Sequence, residues 1–331
     1  MTYALAIFTY PGEPPKDFHP QRGEWKRYCQ SCKRFKPPRT HHCKTCKRCV
    51  LAMDHHCPWT YNCVGHNNLP QFLRFLVAVI VGTSHLAYLL WGRLKTIYDM
   101  RNEPAYLISK WNIFWVLIFS LVNIAVLASI TLLYIRCLLN VLAGKTQIEV
   151  WEWDRVESQL LSERFWIQVR KNYRRLYGKE LPKLESCRFP PKPDDNDIVP
   201  INFTIDDLIF PYDYGYIKNV YYSCGGVWTW LWPWGGSPLN GWQWPRSDNC
   251  EDDQLNLPWP PDGGHQDHIA TNDRLVESVD LSIPQNVALV KKRLDPRFSA
   301  SRRVWTNDQG ESLRDYGVDM DIEVSDEEIT I

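Results

Sequence analysis

Two stretches of the chain contain no Asp, Glu, Lys or Arg, residues 75–92 and residues 111–135, and both are rich in Leu, Val and Ile. Extended back to Phe72 and Leu73, the first becomes an apolar segment over 72–91. About twenty residues at 1.5 Å each match the ~30 Å hydrocarbon core of a bilayer. Arg74 lies at the mouth of that segment, where a long side chain can snorkel to water. Only a short polar stretch separates the two runs, so the pattern predicts a membrane hairpin rather than two buried helices of a soluble domain. His85 and Asn123 fall inside the spans and are expected to make helix-packing contacts, because polar groups at membrane depth face protein or a cavity.

Elsewhere the pattern is weaker. Val156, Leu160, Val169, Tyr173 and Leu176 recur at helical spacing among Arg and Lys, which predicts one amphipathic helix over 150–177. Its two candidate resting places are the membrane surface and the face of the cysteine-rich stretch. Residues 189–196 form a Pro-rich break. Residues 225–244 hold six Trp and five Gly, too broken for a helix, and read as an interfacial loop or a short re-entry. Residues 315–328 carry seven acidic groups and no basic one. Everything beyond about residue 248 is therefore expected to be a disordered acidic tail. Residues 1–10 are apolar but too short to span a bilayer and have no basic lead.

Composition adds one large feature. Seven of the eleven Cys lie within residues 29–63, together with four His. Seven is an odd number, which disfavours a disulfide framework. Cys29/Cys32, Cys43/Cys46 and Cys46/Cys49 repeat the C-x2-C knuckle with which two thiolates grip a tetrahedral zinc. Two such ions need eight donors. Cys29, Cys32, Cys43, Cys46, Cys49 and Cys63 supply six, one His from each of the pairs His41/His42 and His55/His56 completes the set, and Cys57 is left over. Side chains alternate faces along a strand, so His42 and Cys43 serve different ions. By the same rule His56 can face a metal while His55 and Cys57, two apart, share the other face. A spare cysteine beside a spare histidine is a nucleophile and base arrangement.

The run Asp54-His55-His56-Cys57, followed by Pro58-Trp59 and by Asn62-Cys63-Val64-Gly65, resembles the cysteine-rich domain of the DHHC protein S-acyltransferases, or palmitoyltransferases. The resemblance covers residues 28–75. It implies that Cys29, Cys32, His42 and Cys49 hold one zinc, that Cys43, Cys46, His56 and Cys63 hold the other, and that Asp54, His55 and Cys57 carry the chemistry. The choice of Cys57 over Cys63 as nucleophile rests on it. Thr146-Gln147-Ile148-Glu149 is similar to the family's Thr-Thr-x-Glu motif with Gln147 in place of the second Thr. On the residues alone, Thr146 also reads as the start of a helix. Residues 211–219 resemble a C-terminal family motif in which an Asn, here Asn219, ties the tail to the membrane region. The Trp-rich tail is similar to that of fungal endoplasmic-reticulum members. The family has four spans, so residues 1–15 are expected to be the remnant of a preceding one.

The expected fold class is an α-helical integral membrane protein with a cytosolic, loop-rich cysteine-rich domain holding two zinc ions. Its parts are a remnant of a span at 1–15, the zinc domain at 16–71, spans at 72–91 and 111–135 around a lumenal loop at 92–110, a C-terminal region at 136–247 and the tail at 248–331. Lys and Arg are denser before the first span and after the second, at Arg136, Lys145 and Arg155, which sets the zinc domain and C-terminus in the cytosol. The expected activity is transfer of a long-chain acyl group from acyl-CoA (palmitoyl-CoA) through Cys57 to cysteines of membrane-associated proteins. Two other readings compete with it, a zinc scaffold without catalysis and an inactive fragment. Residues 16–50 hold eleven Lys and Arg against two acidic groups. That patch suits the phosphates of CoA. A nucleic-acid partner is not expected, since a purely structural zinc module needs no spare Cys/His pair and is not followed by membrane spans.

Overall fold

The computed structural model describes residues 1–104, 109–160, 162–182, 184, 200, 203–230, 232, 235–247, 255, 257–264, 318, 322 and 323. The Pro-rich break at 189–196, Cys187, Cys250 and most of the acidic run lie outside them.

The cysteine-rich stretch folds into three short antiparallel hairpins. Strands β1 (Arg27–Cys29) and β2 (Arg34–Phe35) form the first, β3 (His41–Cys43) and β4 (Arg48–Val50) the second, and β5 (His55–Cys57) and β6 (Asn62–Val64) the third. The three hairpins share a fourteen-residue spacing. Cys29, Cys43 and Cys57 each end the first strand, and Lys33, Lys47 and Tyr61, four residues later, turn the chain with φ of 50°, 53° and 48°. In the first two, the backbone N–H three residues on donates to the cysteine sulfur, Cys32 N to Cys29 Sγ at 3.4 Å and Cys46 N to Cys43 Sγ at 3.3 Å. Strands of two or three residues bury too little to hold themselves together. Sulfur-facing amides and left-handed turns mark knuckles shaped around ligands.

Helix α1 (Thr2–Phe8) leans on the first long helix, with Tyr3 and Phe75 rings 5.0 Å apart. Helices α2 (Leu69–Asp99) and α3 (Lys110–Leu142) are long and apolar enough to cross a membrane and pack along each other. Both overrun the expected spans. Residues 93–99 contain no helix breaker, so α2 continues to Asp99 and the connection is shorter than expected. Asn123 Nδ2 donates to the backbone oxygen of Thr83 at 3.0 Å and joins the two helices. His85, expected to do the same, is exposed. A Schellman turn ends α3. Lys145 N donates to Asn140 O and Gly144 N to Val141 O, with Gly144 left-handed at φ 68°. A Cβ on Gly144 would lie 2.6 Å from the Tyr212 carbonyl oxygen, so the chain can turn back under the hairpins only with glycine here.

Two helices follow, not one. Helix α4 (Gln147–Gln159) starts with a capping box, in which the Thr146 hydroxyl accepts from Glu149 N and the Glu149 carboxylate accepts from Thr146 N. Helix α5 (Glu163–Tyr177) ends on left-handed Gly178. The sequence pattern hides the break because apolar residues on both sides keep helical spacing. Val156 and Leu160 on the α4 side share one aromatic core with Val169 of α5, while the start of α4 meets another partner. Ile148 and Trp151 of α4 pack against Cys43, Val50, Met53 and Cys63. Phe165, Trp166 and Val169 of α5 join an aromatic core with Trp25, Phe210 and Trp259.

Helix α6 (Tyr216–Cys224) packs on α2 and α3, and Asn219 Nδ2 donates to Leu142 O at 2.8 Å. Contrary to the reading of 225–244 as too broken for a helix, one turn of helix, α7 (Val227–Trp230), forms there. The described residues of the tail pack into the fold. Residues 257–264 bury Leu257 and Trp259, and Asp262 accepts two hydrogen bonds from buried Arg155, at 2.6 and 2.8 Å. Strand β7 (Ile322–Glu323) adds to β1, giving the order β2-β1-β7.

Candidate active site and metal centres

Among the described residues two groups can hold a metal ion, Cys29, Cys32, His42 and Cys49, and Cys43, Cys46, His56 and Cys63. Each group's four ligand atoms lie within 4.8 Å of one another. His42 Nδ1 is 3.4 Å from Cys29 Sγ, 3.3 Å from Cys32 Sγ and 3.8 Å from Cys49 Sγ. His56 Nδ1 is 3.7, 3.4 and 3.7 Å from the sulfurs of Cys43, Cys46 and Cys63. A tetrahedron with bonds of about 2.3 Å to sulfur and 2.0–2.1 Å to nitrogen has edges of about 3.5–3.8 Å, so both donor sets fit a zinc ion. In the pairing register, His42 sits opposite Cys49 and His56 opposite Cys63. Each hairpin thus brings a histidine and a cysteine to one face. The neighbouring C-x2-C knuckle supplies the other two thiols.

Cys57 is in neither group. It follows β5 alternation onto the face of His55, away from His56. His55 Nδ1 is 2.7 Å from Asp54 Oδ2, and the other carboxylate oxygen, Oδ1, accepts from Gln147 N at 2.7 Å. That amide is the first of α4, an orphan donor at the positive end of the helix dipole. The helix therefore holds a buried carboxylate, which holds the imidazole in turn. The Phe72 ring meets His55 edge to face at 5.4 Å.

Burial pushes the Cys57 thiol up, but hydrogen bonds from His55 and Thr60 and the charge of His55 outweigh it, and the thiol lies at about 7. Burial also works against protonating His55. Its hydrogen bonds to Asp54 and Cys57, with their charges, prevail and raise it to about 9. Between these values the pair is a thiolate beside an imidazolium, a form far more nucleophilic than a free thiol.

A residue the motif reading passed over fixes the helix that carries Gln147. Arg39 donates from Nε to Glu149 Oε1 at 2.7 Å, and from Nη2 to Glu149 Oε2 at 2.6 Å and to Gly144 O at 2.8 Å. Both partners are buried, and the guanidinium lies 4.3 Å from the Trp244 ring centroid. Thr60 was also missed. The fourteen-residue spacing, which aligns Thr60 with Cys32 and Cys46, is the signal that finds it.

Comparison with known proteins agrees with this geometry. The family model described as DHHC palmitoyltransferase matches residues 23–154. The palmitoyltransferase PFA4 of Debaryomyces hansenii is 48% identical over 336 residues, covering 98% of this chain and 83% of the relative. The chain belongs to the DHHC palmitoyltransferase family. Further relatives in that family are the palmitoyltransferases PFA4 of Candida albicans, 41% identical over 97% of this chain and 88% of theirs, and of Saccharomyces cerevisiae, 40% identical over 98% and 86%. As a DHHC palmitoyltransferase the chain is a protein S-acyltransferase. In this DHHC palmitoyltransferase the four residues of the name divide by face, with His56 in a donor group that could hold a metal ion and Asp54, His55 and Cys57 together on the other side.

Proposed function

We propose that this S-acyltransferase takes a long-chain acyl group from acyl-CoA onto Cys57 and passes it to cysteines of membrane-associated proteins. The observation that carries this is Cys57 itself, which stands outside both ligand sets and beside a histidine bonded to a carboxylate. The Cys57 thiolate attacks the thioester carbonyl, and the bond to the CoA sulfur breaks. His55 gives its proton to the leaving thiolate, and Asp54 keeps the imidazole in the orientation that serves this transfer. In the second half His55 accepts the proton of the acceptor cysteine, whose sulfur attacks the Cys57 thioester and frees the enzyme.

The two Cys3His sets hold zinc and supply structure only, since four protein ligands leave no open position. They fix the hairpins from which Asp54, His55 and Cys57 project. The basic face of residues 16–50 receives the CoA phosphates. Helices α2 and α3 cross the membrane and border the acyl chain. The Lys and Arg bias sets the zinc module and the C-terminal region on the cytosolic side. The resemblance of the Trp-rich tail supports the endoplasmic reticulum as the membrane.

The test is Cys57→Ser in purified protein given labelled palmitoyl-CoA. Hydroxylamine-sensitive label on the enzyme is lost while the metal content stays at two ions per chain. Loss of metal from this variant would make Cys57 a ligand and end the reading.

A further inference from the structure

The C-terminal strand lies where no element of the site needs it for its own fold. Strand β7 pairs antiparallel with β1, Arg27 opposite Glu323 and Tyr28 opposite Ile322, and Val318 bridges to Cys43. The tail thus runs along the outer edges of the first two hairpins, which would otherwise be open pairing edges. Val318 is 1% exposed and packs in the cluster that contains Cys43, Met53, Ile148 and Trp151.

Three of those neighbours belong to the two supports of the reacting residues, and Met53 precedes Asp54. Cys43 sits in the ligand set of His56, the residue between His55 and Cys57. Ile148 and Trp151 lie on the first turns of α4, whose leading amide holds Asp54. Val318 is a wedge between the two supports. Charge favours its docking as well. Residues 315–328 carry seven acidic groups and no basic one, and residues 16–50 carry eleven basic groups against two acidic. Such a pairing steers a tethered segment to its place and weakens with salt.

We propose that the C-terminal segment around Val318 is an intramolecular activating ligand of the zinc module, docked as an added strand, and that Val318 is a positioning residue for Asp54 and His55. Its effect on the acyl-transfer rate rests on the catalytic reading above; its docking does not. Strand addition supplies backbone hydrogen bonds and one buried side chain supplies selectivity, as in strand-augmenting peptide complexes. The segment sits on the supports and not on Cys57, so releasing it slows the chemistry without weakening acyl-CoA binding.

The experiment compares full-length protein, Val318→Asp, Val318→Ile and a chain ending at Gly310, all in the same detergent or bilayer. Val318→Asp and the shortened chain are expected to keep their metal and to self-acylate about tenfold more slowly. That is within the ~10²-fold that a 1 Å misplacement can cost. The KM for palmitoyl-CoA does not rise, since releasing an acidic segment removes nothing from the basic face of residues 16–50 and only uncovers it. Val318→Ile restores the apolar wedge and the rate. A synthetic peptide of residues 311–331 binds the shortened chain, restores its rate in trans, and does both poorly in about 0.5 M salt. Parental rates in both tail variants, loss of metal from both, or no peptide binding at low salt would each overturn the proposal. Loss of acylation in Cys57→Ser with parental rates in the tail variants would leave the catalytic reading standing without this one.

Discussion

The second and third hairpins are near copies with opposite fates. Each opens with His-His-Cys and closes with a Cys-Val, His41-His42-Cys43 with Cys49-Val50, and His55-His56-Cys57 with Cys63-Val64. Their registers are the same, and both turn through a left-handed residue four positions after the first cysteine. The difference lies one position before that turn. Cys43 is followed three residues on by Cys46, and the two thiols enter one ligand set. Cys57 is followed three residues on by Thr60, which has no thiol to share a metal. The third knuckle keeps the turn of a ligand site, with the Thr60 hydroxyl donating to the Cys57 carbonyl oxygen at 3.4 Å and with Thr60 and His55 both lowering the thiol. On the proposed reading the third knuckle presents a nucleophile, because Thr60 stands where the second has a thiol and the neighbouring histidine is bonded to a carboxylate.

Breaking the comparison at equivalent positions gives the largest expected contrast. Cys43→Ser should lose metal and unfold the module, because binding energy of about 10–16 kcal/mol per structural zinc is folding energy in such units. His56→Ala should do the same. Cys57→Ser and His55→Ala should keep both metals by elemental analysis. The first loses self-acylation outright, and the second loses about 10²–10⁴-fold as expected for removal of a general acid-base. If His55→Ala releases metal and His56→Ala does not, the two faces of β5 have been exchanged.

A smaller effect isolates the backbone donor. Proline is tolerated at the first helical position, and Thr146 before it is already extended at φ −86° and ψ 166°. Gln147→Pro should therefore keep α4, by circular dichroism and by metal content, and remove the N–H held by Asp54; Gln147→Ala is the control for the side-chain oxygen that accepts from Arg136 Nε and Asn140 Nδ2. A hydrogen bond to a charged group is worth about 1.5–3 kcal/mol, so acylation should fall about 10- to 100-fold. A parental rate would mean that the helix end does not serve Asp54.

The pH profile comes next. Because the Cys57 thiol is lowered to about 7, the thiolate forms, and the self-acylation rate climbs, as pH rises through that value. Because His55 is raised to about 9, the imidazolium that protonates the leaving group is lost only as pH rises through that value, and the rate then declines. The rate should change by up to about tenfold per pH unit on the acid side. In His55→Gln the residual rate should climb nearer the ordinary thiol value. An unmoved midpoint would show that His55 does not set the thiol.

The smallest expected effect would sharpen the comparison most. Thr60→Cys rebuilds C-x2-C in the third hairpin. It should slow acylation by several-fold and make it sensitive to added zinc, with recovery on mild chelation, since paired thiolates at this spacing bind zinc. Indifference to zinc would mean that the third knuckle has lost more than a ligand.

The chain itself specified the parts whose chemistry is local. The candidate donors follow from residue type and from spacings of two or three residues, and face alternation along a strand sets His56 apart from His55 without any distant contact, while the full ligand sets came from the resemblance to the family. The two uncharged runs likewise announce their helices, because a bilayer-length apolar segment has few other fates. Thr146 starting α4 was legible for the same reason, as its cap closes within four residues. What the sequence hid was set by contacts between distant segments. Arg39 meets Glu149 across 110 positions, and Arg155 meets Asp262 across 107. The hold of position 147 on Asp54 is carried by its backbone N–H, so the exchange of a threonine for glutamine could not reveal it. The return of residues 257–264 and 318 into packed cores was masked by a polar average, because one Trp or one Val in an acidic stretch barely alters composition yet fills a cavity. Periodicity measures which side of a segment is apolar. Only the folded chain decides which partner that side meets, because burial energy is non-directional and any apolar surface of the right shape can satisfy it.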